Sequence, residues 1–377
     1  MSVSVIIVGA GVIGSNLAYE LSNRGASVTV IDAAESGSGT SAATYGWVNS
    51  NGKTPDEYGW LNILGLRAHE RALHSPKQGT WFHQIGTTEI AQSREEAEQL
   101  EAKVDYMTRN SYNATMLSAS QIRDLEPSLQ AHSLVGGALY AQEGWIDAPT
   151  MCFSLLHQAT ANGATFIPYH RVNAITSHGV EATGPDGVTT QYSADVVVLA
   201  AGNGARELLA PMGFELPLLA TTALDEAGDT YHPTVGLIST TSPIDSGIRH
   251  LIRATGIALR PARNGGITFT DHPTGGRWDR ADPRIWTIPD ELLGRARRLY
   301  PSLEHASIET VTLGTRVLPE DGLTIADWID GDTPLYTIAT HSGVTLSAHL
   351  AEIVSDEILT GSRHESLKPF GLPRFAH

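Results

Sequence analysis

An apolar run, a glycine triplet and a second apolar run succeed one another without a break between Val3 and Asp32. Val3-Ser-Val-Ile-Ile-Val8 is continuous rather than alternating, as expected of a strand buried on both faces. It ends in Gly9-Ala-Gly-Val-Ile-Gly14, after which Ile13, Leu17, Ala18 and Leu21 recur at helical spacing until Gly25. Ala26-Ser-Val-Thr-Val-Ile31 reads as a second strand ending at Asp32. This is a βαβ unit with G-x-G-x-x-G at its first turn. Gly9 makes the turn, Gly11 lets a pyrophosphate approach the backbone, and Gly14 lets helix and strand pack closely. The amides of Val12 and Ile13 then face the anion at the helix start. Asp32, 18 residues past Gly14 and next to Ala33, is placed to accept ribose hydroxyls and would repel a 2′-phosphate. NAD and FAD share this fingerprint, so the choice between them falls to the residues beyond Asp32.

Composition narrows the partners. The net charge of −16 disfavours nucleic acid and anionic membranes, leaving a small molecule as the expected partner. The single cysteine, Cys152, allows neither an internal disulfide nor a cysteine-rich zinc site, and no metal is expected. With no apolar run of about 18 residues and no basic leader ahead of Val3, a cytoplasmic protein without an integral membrane segment is expected. At roughly 150 residues per domain, 377 residues suggest two or three domains.

After Asp32 a nicotinamide enzyme leads on to further βα units. This chain instead enters Ser36-Gly-Ser-Gly-Thr-Ser-Ala-Ala-Thr-Tyr-Gly-Trp-Val-Asn49, a loop of small and hydroxylated residues able to lie against a large ring system. With these motifs the chain resembles the D-amino-acid oxidase-like family of FAD-dependent oxidoreductases, which includes glycine and sarcosine oxidases and D-amino-acid dehydrogenases. The resemblance implies that Thr40, Ser41, Ala42, Thr44, Tyr45 and Gly46 run along the FAD pyrophosphate and flavin, with Trp47 and Asn49 as wall residues.

Later segments extend the resemblance to both ends of the chain. Glu143-Gly-Trp-Ile-Asp-Ala-Pro-Thr150 looks like the family's entry into a helix, with Asp147 as cap and Pro149 in the first turn. The position like Val172 would offer its backbone to the adenine. The strand 196–199 leads into Ala200, Ala201 and Gly202, similar to the family's second glycine turn near the cofactor. Towards the C-terminus, Leu313-Gly-Thr-Arg-Val-Leu-Pro319 resembles the stretch whose arginine, here Arg316, pairs with a substrate carboxylate, although Val317 and Leu318 separate it from the proline. The turn 340–348 resembles the one that directs helix amides at the flavin pyrimidine, through Ser342, Gly343, Val344, Thr345 and Leu346. A helix N-terminus there stabilises the charge of reduced flavin, and the planar fork of arginine suits a carboxylate.

The middle of the chain is β-rich at 87–92 and 256–271, interleaved with polar helices at 95–103 and 290–299. The expected fold is therefore α/β: a Rossmann-like FAD-binding domain, discontinuous over 1–51, 143–213 and 310–377, carrying an inserted antiparallel-sheet α+β substrate domain made of 52–142 and 214–309. Domain junctions favour active sites.

In the second insertion, Gly265-Gly-Ile-Thr-Phe-Thr-Asp-His-Pro-Thr-Gly275 resembles the strand and turn carrying an active-site histidine in sarcosine-oxidase-like members, which matches His272. A near-neutral pKa would let His272 accept a substrate hydrogen bond or tune its amine proton. His341, in the final glycine turn, has a comparable expected role. Where such oxidases carry an oxygen-reactive lysine this chain has Thr268, which weakens an oxidase reading, and Cys152 lies far from the C-terminal segment where covalent flavin attachment would occur. The resemblance thus implies non-covalent FAD, with an amino acid or N-substituted amino acid docking its carboxylate on Arg316, giving a hydride to flavin N5 and leaving as an imine. Electrons then pass to oxygen or another acceptor; the oligomeric state is open. The alternatives are an FAD-dependent 2-hydroxy-acid or glycerol-phosphate-type dehydrogenase, a non-catalytic flavin-binding protein, and an NAD-dependent dehydrogenase. A second basic side chain near the site would favour phosphate, and the sequence offers no clear candidate.

Overall fold

The computed structural model describes residues 2–73, 81–220, 222–224, 230–331 and 334–375. The N-terminal unit forms as its pattern dictates: a strand Ser4–Val8, a helix Val12–Asn23 and a strand Ser27–Ile31. Ile6, Ile7, Leu17, Leu21 and Val30 are at most 1% exposed, each contributing on the order of 2 kcal/mol of apolar burial. The helix stops at Arg24, and Gly25 follows at φ +83°, a left-handed turn that a side chain would strain.

Six strands build the sheet of this domain in the order Ile325–Ile329, Leu335–Ala339, Val196–Leu199, Ser4–Val8, Ser27–Ile31 and Thr165–Ile167. All neighbours are parallel except the outermost pair, Ile325–Ile329 with Leu335–Ala339. From Ser4–Val8 the chain steps to one side twice and only later to the other. The topological switch therefore lies between Ser4–Val8 and Val196–Leu199, and ligands of open α/β sheets bind at the carboxyl ends of strands at such a switch. Gly9 and Ala200 come directly after those two ends, with Ala200 N–H donating to the Val8 carbonyl at 2.9 Å.

The helix Ala148–Ala161 begins as expected, with Asp147 accepting from Thr150 N–H and proline in the first turn. Packed on the sheet, the last helix, Gly343–Thr360, is closed below by a buried charge: Glu357 accepts from Tyr336 hydroxyl (2.8 Å), His364 N–H (2.6 Å) and Arg363 (3.0 Å).

The second sheet has eight strands, in the order Ile308–Thr315, Val235–Thr241, Ile267–Thr270, Ile257–Pro261, Leu251–Ala254, Thr87–Ala91, Gly136–Tyr140 and Thr115–Ser118. It differs from the expected domain in three respects. It is not wholly antiparallel: Leu251–Ala254 runs parallel to Thr87–Ala91, and this is the seam where the two inserted segments meet. The boundary expected at 309/310 falls inside Ile308–Thr315, which pairs along Val235–Thr241 and so belongs to this sheet up to Thr315. And the helix Asp56–Leu73, expected in the insertion, packs in the cofactor domain, where Tyr58 and Leu61 join the cluster containing Leu346 and Leu350. Gly65 explains how closely: a Cβ there would lie 2.5 Å from the Thr345 carbonyl oxygen. Among the described residues no helix is long and apolar enough to cross a membrane.

Candidate active site

The three N-terminal glycines divide their work. Gly9 sits at φ +107°, and a Cβ on it would meet the Ala200 carbonyl oxygen at 2.5 Å; one on Gly14 would lie 1.9 Å from the Gly9 carbonyl oxygen. Both are demanded by the protein's own backbone. A Cβ on Gly11 would press only on Ser41 Oγ, at 3.0 Å, and on no backbone atom, which leaves the outer side of the turn open. Gly11 caps the helix without a side-chain hydrogen bond. Val12 N–H donates to Ser41 Oγ at 3.1 Å, and the amides of Ile13 and Gly14 have no acceptor among the described residues. An unpaired amide pair at a helix start beside a bare glycine has the chemistry to hold an anion such as a pyrophosphate.

Asp32 lies next to it. Its carboxylate accepts from Ala10 N–H (2.6 Å) and Ala34 N–H (2.8 Å), leaving one lone pair on each oxygen for ribose hydroxyls. Burial raises its pKa, opposed by those two amides and Arg171. The Asp32 carbonyl accepts from His170 N–H at 2.8 Å, which holds the strand Arg171–Thr176, with Val172 opposite Ala182, beside the cradle; Ala33 borders the same turn. On the other side Gly202, at φ +57°, faces Val317, while Asn203 Nδ2 donates to the carbonyls of Thr315 (3.2 Å) and Arg316 (3.4 Å). Thr40 Oγ1 donates to the Thr315 carbonyl at 2.8 Å. The turn at Ala200, Ala201 and Gly202, the small-residue loop and the Arg316 segment are thus tied into one wall. Bare glycine, unpaired amides, a carboxylate with free lone pairs and a small-residue loop fit a dinucleotide such as FAD.

The loop leads from the cradle to the last helix. Thr44 Oγ1 accepts from Gly46 N–H (3.1 Å), and Gly46, at φ +76°, passes so close to Ile146 that a Cβ would lie 2.4 Å from its carbonyl oxygen. Asn49 N–H donates to Thr345 Oγ1 (3.2 Å), which itself donates to the Trp47 carbonyl (3.4 Å). Trp47 Nε1 donates to Glu143 Oε2 (2.8 Å) and reaches Thr87 Oγ1 (3.1 Å). Glu143 is fully buried, and burial pushes its pKa up to about 7 against hydrogen bonds from Thr87, Tyr112 and Trp47. Ser342 lacks a side-chain cap bond; its hydroxyl instead accepts from Tyr58 at 2.9 Å. The amides of Gly343, Val344 and Thr345 have no acceptor among the described residues, while Leu346 N–H closes the first turn on the Ser342 carbonyl. A second unpaired helix N-terminus therefore faces the end of the loop.

Arg316 and His272 meet in the same cleft. One terminal nitrogen of Arg316 donates to the carbonyls of Pro233 and Val235 and lies 3.0 Å from His272 Nε2. Its Nε is buried without a partner, and no carboxylate among the described residues pairs with it. Desolvation lowers its pKa to about 10, leaving it charged. His272 opens the short helix His272–Gly275 directly after the strand Ile267–Thr270. Its expected near-neutral pKa is corrected: burial and then Arg316 push it down to about 4. His341 falls to about 3, through burial, Lys53, Arg316 and His272. Both imidazoles stay neutral because the cleft, although accessible, surrounds them with protein and positive charge.

Lys53 and Arg253 supply the basic side chains that the sequence did not reveal. Lys53 lies 5.7 Å from the Tyr58 ring centroid and Arg253 stacks 4.4 Å over Trp47. Lys53 comes four positions after Asn49, its only local signal; Arg253 arrives from the far insertion. Behind the loop, a separate cavity of about 390 Å³ is bounded by Ser41, Ala42, Thr44, Thr240, Arg260 and Thr268. Thr268 hydrogen bonds with Thr240 there at 3.1 Å.

A glycine turn at the switch point, a cationic cleft against a second sheet and a loop joining them are an arrangement suited to a dinucleotide-dependent oxidoreductase. Residues 4–357 match the family model described as FAD dependent oxidoreductase, DAO, and the chain belongs to this family. It is 26% identical over 383 residues to a glycine oxidase of Geobacillus kaustophilus (strain HTA426), covering 98% of this chain and 96% of that one. One of the opine oxidase subunits of Agrobacterium tumefaciens (strain Ach5) is 25% identical over 392 residues, 99% of this chain and 98% of the other. The crystal structure of glycine oxidase from Geobacillus kaustophilus superposes with a TM-score of 0.82 at 23% identity over 99% of both chains. The protein is an FAD-dependent oxidoreductase.

Proposed function

We propose that the enzyme oxidises the C–N bond of an amino acid or N-substituted amino acid to the imine, using FAD held non-covalently. The observation that carries this reading is Arg316: a desolvated guanidinium with no carboxylate of its own, set in the cleft between the last helix and the second sheet. When bound, FAD supplies the two-electron acceptor that takes a hydride from the carbon next to the amine nitrogen. The pyrophosphate belongs on Gly11, Val12, Ile13 and Gly14 with Ser41, the ribose on Asp32, and the flavin end beside Gly46 and the amides of Gly343, Val344 and Thr345. Arg316 fixes the substrate carboxylate through the nitrogens that the Pro233 and Val235 carbonyls leave free, which orients the α C–H. Neutral His272 and His341 offer ring nitrogens to the amine. The burial that, with nearby positive charge, holds these two imidazoles neutral also lowers the pKa of a bound ammonium, favouring the neutral amine from which a hydride can leave. Water then hydrolyses the imine, and the electrons pass to oxygen or another acceptor.

An anaerobic stopped-flow screen of D-amino, L-amino, N-methyl and 2-hydroxy acids tests the reading through loss of flavin absorbance. Bleaching by one of the amine classes is expected. Bleaching by 2-hydroxy acids alone, or by none of them, removes it.

A further inference from the structure

Glu143 is a fully buried carboxylate that the proposed reaction leaves unused. It stands where the chain leaves the second sheet: its amide donates to the Tyr140 carbonyl at 3.2 Å, and its carbonyl accepts from Gly86 N–H at 2.9 Å. The strand that follows, Gly144–Ile146, pairs antiparallel with Trp47–Val48 of the loop. Its side chain accepts from Trp47 Nε1 at 2.8 Å through Oε2 and from the Tyr112 hydroxyl at 2.7 Å through Oε1, and Thr87 adds a third hydrogen bond. The Tyr112 hydroxyl in turn accepts from Ser50 N–H at 3.0 Å. One carboxylate thus grips the segment 47–50 at both ends, directly at Trp47 and through Tyr112 at Ser50. Between those points the segment holds Thr345, whose Oγ1 accepts from Asn49 N–H at 3.2 Å and donates to the Trp47 carbonyl at 3.4 Å.

Packing alone does not ask for a carboxylate here. Burying one carries a desolvation cost that an apolar side chain of similar volume avoids. What it supplies is acceptor capacity for donors that arrive from three separate segments, at Trp47, Thr87 and Tyr112. Glu126 and Glu357 are as deeply buried, yet each binds donors within one sheet's own surroundings: Glu126 takes His250 and Tyr300, and Glu357 takes Tyr336 and Arg363. Glu143 alone of these three ties the second sheet to the loop that meets the last helix.

We propose that Glu143 is a positioning residue of the active site: by locking Trp47 and Ser50 it fixes Thr345, and with it the unpaired amides at the start of the last helix. This deepens the amine-oxidation reading and rests on it for the place of the flavin end beside Gly46 and those amides. Without the carboxylate the segment loosens, and the helix start loses its register on the negative charge of reduced flavin.

The test compares FAD-loaded Glu143→Leu, which has similar volume and no acceptor, with Glu143→Gln, which keeps an acceptor for Trp47. Two readouts need no substrate: the visible circular dichroism of the bound flavin, and its reduction equilibrium against a reference dye. In Glu143→Leu the dichroism should change shape and the reduction equilibrium should move about tenfold towards oxidised flavin, with FAD content at the wild-type level. Glu143→Gln should stay within about threefold of the wild type. On a Trp47→Phe background the effect of Glu143→Leu should shrink to about threefold, the share carried through Tyr112, because the two residues act as a unit. Should Glu143→Leu fail to fold, Tyr112→Phe, which lacks a single oxygen, carries the test with a shift of about threefold in the same direction. Unchanged flavin readouts overturn the proposal, even if the melting temperature falls, since Glu143 is then a packing residue. So does a Glu143→Leu shift that adds in full to that of Trp47→Phe. Neither readout uses a substrate, so the outcome is separate from the amine screen: failure of amino acids to bleach the flavin sinks the reaction, and unchanged flavin readouts sink only the positioning role.

Discussion

Arg316 carries its charge into a cleft where the described residues offer carbonyls and a neutral histidine but no carboxylate. Removing the guanidinium from a charge-assisted carboxylate pair costs on the order of 3 kcal/mol, about two decades in rate. Arg316→Met should therefore lower kcat/KM for carboxylate substrates by roughly 10²-fold, while flavin absorbance of the purified protein stays at the wild-type level; unchanged kinetics would remove the assignment. Arg316 was legible from its motif, as were His272 and His341 as positions. Their protonation was not, because it depends on burial and on the charges of Arg316 and Lys53, which come from different segments. A single residue type in a sequence does not announce the charges that folding will bring beside it.

The glycine turn of the first βαβ unit separates two roles. Since Gly9 and Gly14 are constrained by backbone atoms at 2.5 and 1.9 Å, alanine at either disturbs the fold itself. At Gly11 a side chain would meet no backbone, only Ser41 Oγ at 3.0 Å, which has to give by a few tenths of an ångström. Gly11→Val should fold, with a far-ultraviolet dichroism spectrum like the wild type, yet be purified with little or no FAD; a fully yellow variant would place the pyrophosphate elsewhere. This element was readable because everything that determines it lies close together in the chain: a doubly buried strand, a helical period, glycines at fixed offsets. The eight-stranded sheet was readable only as strands. Its order and its one parallel seam arise from pairing between segments such as Leu251–Ala254 and Thr87–Ala91, far apart in the chain. Likewise the helix Asp56–Leu73 joins the cofactor domain through Gly65 against Thr345, a fit no local pattern encodes.

At the scale of the whole molecule, the two sheets, the loop between them and the helix Asp56–Leu73 meet around the cleft, so cofactor, site and stability are linked. His69, on that helix, is 1% exposed and donates from Nε2 to the Val344 carbonyl at 2.9 Å; burial pushes its pKa from 6.5 down to about 4. Between those values the unfolded chain binds more protons, so stability falls as pH drops through that window and is unaffected above it. Glu143 works in the opposite sense: its pKa is raised from 4.5 to about 7, so stability falls as pH rises between them. Each group contributes at most about 1.4 kcal/mol per pH unit. His69→Gln, which keeps a donor, should therefore make urea-unfolding stability less dependent on pH between about 4 and 6.5 by roughly 1 kcal/mol per unit; an unchanged slope would mean that His69 is not held neutral. The central claim is an FAD-dependent oxidation at a C–N bond, and a single anaerobic turnover tests it most directly by counting products against flavin. With a bleaching amino acid, one equivalent of 2-oxo acid and one of ammonia or free amine per flavin reduced is the predicted result. Bleaching that releases no amine, or a protein that cannot be loaded with FAD, would contradict it.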